Sequence, residues 1–258
     1  MPNLSYEVRI SDTFTQSLGK LNGEEQKSTK TTAFDLQLDP SNPGMQFHRI
    51  DKCKDKHFWS VRINRDLRLI VHKSDASLLL CYVDHHDKAY AWAERRKIEI
   101  HPRTGAAQLV EIRETIQEIL VPNYVNTPFT KPKSDDRRLF NGISEDELLS
   151  YGVPTEWLQD VSLATENSLL RLVDHLPSEA AEALLELATG GKPRKSEVLT
   201  IESTNPFDHP DAQRRFRVMS NLAELQTALE YPWDKWMVFL HPEQKQLVER
   251  KYNGPARV

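Results

Sequence analysis

The chain is poor in cysteine and glycine and has no long apolar segment. It contains 2 cysteines and 9 glycines in 258 residues, and Cys53 and Cys81 do not form a C-x-x-C pair of the kind found in redox and zinc motifs. No apolar run approaches the roughly 20 residues that a membrane-spanning helix needs. The N-terminus has no charged segment followed by an apolar one, so a signal peptide is not expected. These absences predict a cytoplasmic protein without a membrane partner.

A phosphate-binding loop is also absent. Gly190-Gly191-Lys192 comes nearest, but the pattern G-x-x-x-x-G-K-[S/T] needs a glycine where Glu186 stands and a hydroxyl residue where Pro193 stands. The segment is instead predicted to cap the C-terminus of a helix and to turn. We therefore expect no ATPase site, cofactor or metal in this chain.

The charge distribution is uneven, although the net charge is only -4. The chain is 28% charged and 38% hydrophobic, with a mean hydropathy of -0.60, which suits one large or two smaller soluble domains. Residues 49–73 contain three aspartates and the following eight basic residues: Arg49, Lys52, Lys54, Lys56, Arg62, Arg65, Arg68 and Lys73. Such a strip suits a polyanion such as RNA or DNA. The alternative is a solvated, salt-bridged face.

Residues 1–98 have the pattern of an α+β domain. One strand (5–10) precedes two helices (13–21 and 23–38), and prolines then mark a turn. Four strands follow at 46–50, 58–63, 67–73 and 77–83, with joins of hairpin length that predict an antiparallel meander. A short charged helix is predicted for 88–97. Cys81 lies in the apolar strand and should be core. Cys53 lies among lysines, where a thiol can be reactive, but we expect an inert surface thiol.

The remaining sequence divides into three predicted parts. Residues 99–140 should contain a helix at 108–120, from its apolar periodicity, and then a proline-containing linker. Residues 141–192 should form a small helical module, which opens with a capping box at Ser144-Glu-Asp-Glu147 and ends with a helix at 178–188. Residues 193–258 change to strand, helix and loop, with a strand at 216–219 and a helix at 222–229. Trp157, Trp233 and Trp236 are interpreted as core or interdomain anchors rather than base-stacking residues.

The order of elements in residues 5–97 resembles the RelE/ParE toxin superfamily. The resemblance is strongest over Phe58-Trp-Ser-Val-Arg-Ile63, Asp66-Leu-Arg-Leu-Ile-Val71 and 79–90. It implies two helices packed on an antiparallel sheet. Ribonuclease members of the family cut mRNA on a concave sheet face, which is lined by Lys, Arg, His and Tyr. Metal-independent cleavage requires a base for the 2′-hydroxyl, cations for the phosphate and an acid for the leaving oxygen.

The resemblance implies roles for individual residues. Arg68 matches the phosphate-clamping arginine, and Tyr90 matches a substrate-contacting tyrosine. His85 and His86 stand where relatives place an Arg or His used in cleavage, although many relatives read His-Arg there. Lys52, Lys54 and Lys56 fall in the loop where some members carry catalytic lysines, and we expect them to contact nucleic acid, with Arg62 and Arg65 supplying further phosphate contacts. No residue matches the glutamate that some members use as general base.

The doublet His85-His86 is not predicted to bind a metal. Adjacent residues on a strand point to opposite faces, so two neighbouring imidazoles rarely share one ion. We expect one of these histidines to lie on the functional face and the other to be packed or solvated.

The segment Phe239-Leu-His-Pro-Glu-Gln-Lys-Gln-Leu-Val248 resembles the Q-motif of UvrD/Rep-type superfamily 1 helicases. That resemblance implies that Gln244 hydrogen-bonds the adenine edge, because an amide donates and accepts at once. His241 replaces the usual Asn. It also implies that 193–258 is the start of an α/β helicase motor that stops before the P-loop, with ATP and Mg expected only if a motor domain continues.

Both resemblances together match the N-terminal region of helicase-like proteins in which a RelE-like domain precedes the motor. They imply a nucleic-acid-binding or regulatory region of an ATP-dependent DNA helicase-like protein. Its partners would be RNA or DNA, or an antitoxin-like or other regulatory protein. Two alternatives stay open. One is a RelE-type endoribonuclease toxin, and the other is a protein-interaction domain.

Overall fold

A computed structural model describes residues 7–39, 42–74, 77–113, 137–198 and 205–230. It is a mixed α+β structure with a mostly antiparallel sheet, which confirms the predicted class at that level. The chain forms two compact units. The first combines residues 1–98 with 200–258, and the second comprises residues 99–199.

The first unit is built on a six-stranded sheet. Its strands are β1 (Glu7–Ser11), β2 (Phe47–Arg49), β3 (Phe58–Arg62), β4 (Leu67–Lys73), β5 (Ser77–His85) and β8 (Phe216–Val218). Their order is β2-β3-β4-β5-β1-β8, with β1 parallel to β5 and every other pair antiparallel. The predicted meander of β2 to β5 is therefore confirmed, because alternating strands joined by hairpin-length turns pair with their sequence neighbours.

Helices cover both faces of this sheet. The helices α1 (Asp12–Leu18), α2 (Gly23–Leu38) and α9 (Leu222–Glu230) share a core with Ile10, Leu69 and Leu80 on one face. The helix α3 (His86–Glu94) packs on β4 and β5 from the other face. Asn22 starts α2 with a capping box, in which its side chain and that of Glu25 satisfy each other's backbone amides.

A register shift opposite Ile70 and Val71 decides which β5 side chains face α3. Ile70 pairs with Tyr82 and Val71 pairs with Leu80, so Cys81 is an extra residue in β5. Because a bulge changes the alternation of side chains, Leu80 faces the helical core while Tyr82 contacts α3.

The segment after α3 differs from the prediction of a helix to residue 97. The helix ends at Glu94, and Arg96–Ile100 forms a strand, β6. It pairs with β7 (Ala107–Glu111) in a two-stranded sheet.

The second unit corrects the predicted helix at 108–120. Its first residues belong to β7, and residues 114–120 lie outside the described ranges. Ala107 to Val110 are all buried. A short segment buried on both faces resembles a helix in its apolar spacing, so periodicity could not distinguish the two.

The predicted helical module is present in this unit. It comprises α4 (Glu145–Ser150), α5 (Leu158–Ser162), α6 (Glu166–Val173) and α7 (Ser178–Ala188). Ser144 accepts from the amide of Glu147 at the start of α4, and Gly190 ends α7 with a φ of 83°, as the cap-and-turn prediction requires. Trp157 belongs to the core, as predicted.

Residues 205–230 complete the first unit instead of starting a separate one at 193. The predicted strand and helix are present as β8 and α9, but β8 pairs with β1 and α9 packs on α2. Local periodicity cannot reveal pairing across about 200 residues of sequence. The Q-motif segment with Gln244, together with Trp233 and Trp236, lies outside the described residues. Among the helices that are described, none is both long and apolar enough to cross a membrane.

Candidate functional site

The helix α3 is positioned by aromatic contacts at one end and by a backbone bond at the other. The indole of Trp92 stacks on Tyr82, with ring centroids 4.6 Å apart and planes 4° apart, and meets Phe58 edge-on at 6.1 Å. At the start of the helix, the amide of His86 donates to the carbonyl of Asp66 at 2.8 Å. The helix therefore runs along the sheet from the β3–β4 hairpin towards the loop that precedes β3.

An open groove of about 500 Å³ lies between α3 and the chain that follows β2. The His86 and Tyr90 rings contact each other, with centroids 4.5 Å apart and planes inclined by 30°. The hydroxyl of Tyr90 lies 2.9 Å from that of the buried Ser60, which holds the ring against the sheet. We call this feature the α3 groove, and its lining includes Arg49, Asp51, Lys52, His86, Tyr90 and Glu94.

His86 has a carboxylate beside it. Its Nδ1 lies 2.9 Å from Oδ1 of Asp87, which is fully exposed. In the tautomer that carries a proton on Nδ1, this nitrogen donates to Asp87 and Nε2 keeps a lone pair that can accept a proton. The arrangement can therefore take part in acid–base chemistry or bind a nucleobase.

The structure brings three of the predicted site residues together and separates others from them. Lys52, His86 and Tyr90 line the α3 groove. His85 instead lies on the other side of the sheet, where its Nε2 is 3.7 Å from the carboxylate of Glu25 in α2. The two adjacent histidines therefore lie in different environments, His86 in the α3 groove and His85 beside α2.

Arg68 is not among the residues that line the groove. Its Nη1 donates to the carbonyls of Asn64 at 3.1 Å and Leu67 at 2.9 Å. Arg62, directly opposite on β3, also donates to the Asn64 carbonyl, through Nε at 3.1 Å. Both arginines therefore support the β3–β4 hairpin, and each retains N–H groups that these bonds do not use.

The predicted basic residues form two groups. The loop lysines (Lys52, Lys54 and Lys56) precede β3, and the hairpin arginines (Arg62, Arg65 and Arg68) lie at its far end and just beyond. All three lysines are exposed, and Lys56 donates to the carbonyl of Asp51 at 2.8 Å. The five-residue strand β3 is about 17 Å long, at about 3.3 Å per residue, so the two groups lie near its opposite ends.

The sequence prediction did not assign four charged residues of the groove lining to the site, namely Arg49, Asp51, Asp87 and Glu94. Glu94 follows His86 and Tyr90 at helical spacing, so all three lie on one face of α3. That i, i+4, i+8 relation was readable once the helix was placed. Arg49 was noted only as part of the basic strip.

Neither cysteine is available as a nucleophile. Cys81 is buried, as predicted, but Cys53 is also fully buried, so the prediction of a surface thiol was wrong. Burial, together with the nearby carboxylates of Glu94 and Asp55, raises the pKa of Cys53 to about 12. Burial also raises the pKa of Cys81 strongly. Because the thiolate is the reactive form, both side chains are inert in the fold.

A second cluster of polar side chains lies beside the loop lysines. Nδ1 of His57 is 3.2 Å from Oδ1 of Asp55, and Nε2 of His72 is 3.3 Å from Oδ2 of the same carboxylate. The sequence prediction did not include these residues. The register of β3 and β4, in which Phe58 pairs with His72, brings the two histidines together.

No family model matches the chain, and no curated protein matches it with a significant score.

Proposed function

We propose that the first unit binds nucleic acid along the α3 groove. The observation that carries the proposal is the contacting His86–Tyr90 pair between the exposed loop lysines and the hairpin arginines, of which Arg62 and Arg65 are exposed and Arg68 is half-buried. Proteins that bind single strands combine cations along the backbone path with aromatic rings on which bases stack. The RelE/ParE resemblance of residues 5–97 supports the same surface.

The loop lysines and hairpin arginines would supply most of the attraction. The groove lining itself carries a net negative formal charge, because Arg49 and Lys52 are outnumbered by Asp51, Asp87 and Glu94. Phosphate contacts by exposed Lys and Arg account for most non-specific affinity and are weakened by salt. Binding should therefore fall steeply as the salt concentration rises.

The test is fluorescence anisotropy of labelled RNA and DNA, single- and double-stranded, with the full chain at several salt concentrations. The double variant Lys52→Ala/Lys54→Ala should bind more weakly. Its log–log salt slope on a single strand should be shallower by about 1.4, from two contacts of about 0.7 each. The control Lys27→Ala/Lys30→Ala removes the same charge from α2, on the opposite face of the sheet, and should change binding little. Absence of binding at low salt, or equal losses in both variants, would contradict the proposal.

A second candidate is the RelE-type endoribonuclease. The observation that favours it is the His86–Asp87 contact next to Tyr90, because a histidine oriented by a carboxylate can act as a general base. This activity predicts cleavage of mRNA in the presence of a chelator and its loss in His86→Ala and Arg68→Ala. Cleavage that persists in both variants would show that another protein is responsible.

The wider context that we propose is the N-terminal region of an ATP-dependent DNA helicase-like protein. Its support is the Q-motif resemblance of 239–248, in which Gln244 would read adenine. A Gly-Lys-Thr loop encoded within a short distance after codon 258 would test this context. If the chain instead binds no nucleic acid but captures one specific protein, the protein-interaction alternative holds.

A further inference from the structure

We propose that Asp55, His57 and His72 bind one divalent transition-metal ion, best represented by Zn²⁺, with a fourth coordination position open to solvent. These residues belong to the loop before β3 and to β4, and they are separate from the lining of the α3 groove. The inference does not depend on nucleic-acid binding.

The spacing of the donor atoms suits a tetrahedral site. Zn–N and Zn–O bonds are about 2.0–2.2 Å long, so two donors at the tetrahedral angle lie about 3.3–3.5 Å apart. The two N···O distances, 3.2 Å from His57 Nδ1 to Oδ1 and 3.3 Å from His72 Nε2 to Oδ2, are each close to that separation, although they involve different oxygens of Asp55. All three donor atoms lie within 4.8 Å of one another. A shared ion therefore requires the side chains to rotate until both imidazole nitrogens and a carboxylate oxygen reach bonding distance of one point.

The carboxylate is fixed in advance by the backbone. Oδ1 of Asp55 accepts from the amide of His57 at 3.0 Å, and Oδ2 accepts from the amide of Ile98 at 3.0 Å. Hydrogen bonds of this kind orient ligands around metal ions. Burial raises the pKa of Asp55, but the hydrogen bonds from His72, Ile98 and His57 outweigh it and hold the pKa well below its ordinary value. The two backbone bonds therefore hold the carboxylate of Asp55 in contact with both imidazoles.

The donor types and their exposure indicate the kind of site. Two imidazoles and one carboxylate suit Zn²⁺ and related ions, whereas Mg²⁺ and Ca²⁺ prefer oxygen ligands. The side chains of Asp55 and His72 are 7% and 14% exposed, but that of His57 is 66% exposed. Water can therefore complete the coordination on the His57 side, as in zinc sites with three protein ligands.

The competing arrangement has no metal, and both imidazoles donate directly to Asp55. In that case each ring contributes a proton to a hydrogen bond, and added Zn²⁺ finds no site of higher affinity than an isolated surface histidine. The two arrangements therefore differ in stoichiometry, affinity and dependence on each ligand.

The experiment is a titration of the metal-free full chain with Zn²⁺ against a chromophoric chelator, and with Co²⁺ followed by visible absorption. We expect one Zn²⁺ per chain and a Co²⁺ spectrum of tetrahedral type. His57→Ala should weaken Zn²⁺ binding by at least about 100-fold, beyond the 10- to 100-fold loss that removing an outer partner causes. Because His57 is largely exposed, this variant should fold normally. His72→Gln should give a similar loss.

The matched control is His48→Ala, which removes an exposed histidine from the neighbouring strand β2. It should bind Zn²⁺ like the unaltered chain. The proposal is overturned if the unaltered chain shows no saturable binding of one ion. It is also overturned if His57→Ala, with an unchanged circular dichroism spectrum, binds as tightly as the control.

Discussion

Replacing Trp92 with alanine should weaken the packing of α3 on the sheet. The substitution changes none of the residues that line the α3 groove. The helix buries only two residues fully, Ala89 and Ala93, and both are small. Trp92 therefore provides the main large apolar contact, through Tyr82 at 4.6 Å and Phe58 at 6.1 Å. Without this contact, α3 should no longer form a fixed side of the α3 groove.

The magnitude follows from these contacts. Truncation of a buried tryptophan to alanine costs about 3–5 kcal/mol, and Trp92 is only partly buried, so we expect about 3 kcal/mol. The two aromatic pairs, at about 0.5–1.5 kcal/mol each, account for about 1–3 kcal/mol of that loss. Trp92→Phe should recover much of it, because a smaller ring keeps part of both contacts.

Two measurements test this prediction. Amide hydrogen exchange should accelerate in α3 more than in β1, because α3 packs mainly on β4 and β5. Nucleic-acid affinity should fall although no charge has changed. Trp59→Ala is the control, because Trp59 packs against the core on the opposite face and should lower stability without releasing α3. If exchange in α3 and affinity both stay unchanged in Trp92→Ala, the assigned role of Trp92 in holding the groove is wrong.

Three further predictions concern stability and accessibility. Asn22→Ala removes the side chain that caps α2 and should lower the free energy of unfolding by about 1 kcal/mol in urea denaturation. Gly152→Ala and Gly142→Ala both place a side chain at positive φ, but only at Gly152 would the new Cβ meet another side chain at 2.8 Å. Gly152→Ala should therefore be less stable than Gly142→Ala by about 1–3 kcal/mol in the same assay; equal losses would contradict the clash. Cys53 and Cys81 should resist alkylation at pH 8 in the folded chain and react after unfolding, as mass spectrometry would show, and rapid modification without denaturant would contradict their burial.

The strands from β2 to β5 could be predicted because local signals suffice for them. Alternating residues and short turns determine both the element type and its neighbour in a meander. The pairing of β8 with β1 could not be predicted, since nothing within residues 216–218 specifies a partner at the start of the chain. The strand β7 was mistaken for a helix because it is buried on both faces and lacks alternation.

In the candidate site, too, some residues could be assigned from the sequence, whereas others depend on contacts between segments that are distant in sequence. The family resemblance assigned both His86 and Tyr90 to the site, but the predicted helix began at residue 88, so their shared helical face is seen only because α3 begins at His86. Arg68 could be assigned to a strand, but its bonds to the carbonyls of Asn64 and Leu67 depend on how the hairpin closes. The contact of His57 and His72 with one carboxylate depends on hairpin register, which a list of histidines in the sequence does not provide.

The proposed metal site and the proposed nucleic-acid surface share one loop, so they should be coupled. Asp55 and His57 follow Lys54 within three residues, and a metal joining them to His72 in β4 would restrict the loop that carries the lysines. Ordering a loop before its ligand arrives removes an entropic penalty from binding. Zn²⁺ should then raise affinity for a single strand about fivefold, at the lower end of measured couplings, and nucleic acid should raise Zn²⁺ affinity by the same factor. Anisotropy titrations with and without Zn²⁺ measure this directly, and His57→Ala should abolish the effect. Equal affinity in both titrations of the unaltered chain would mean that the bonds of Asp55 to Ile98 and His57 already fix the loop.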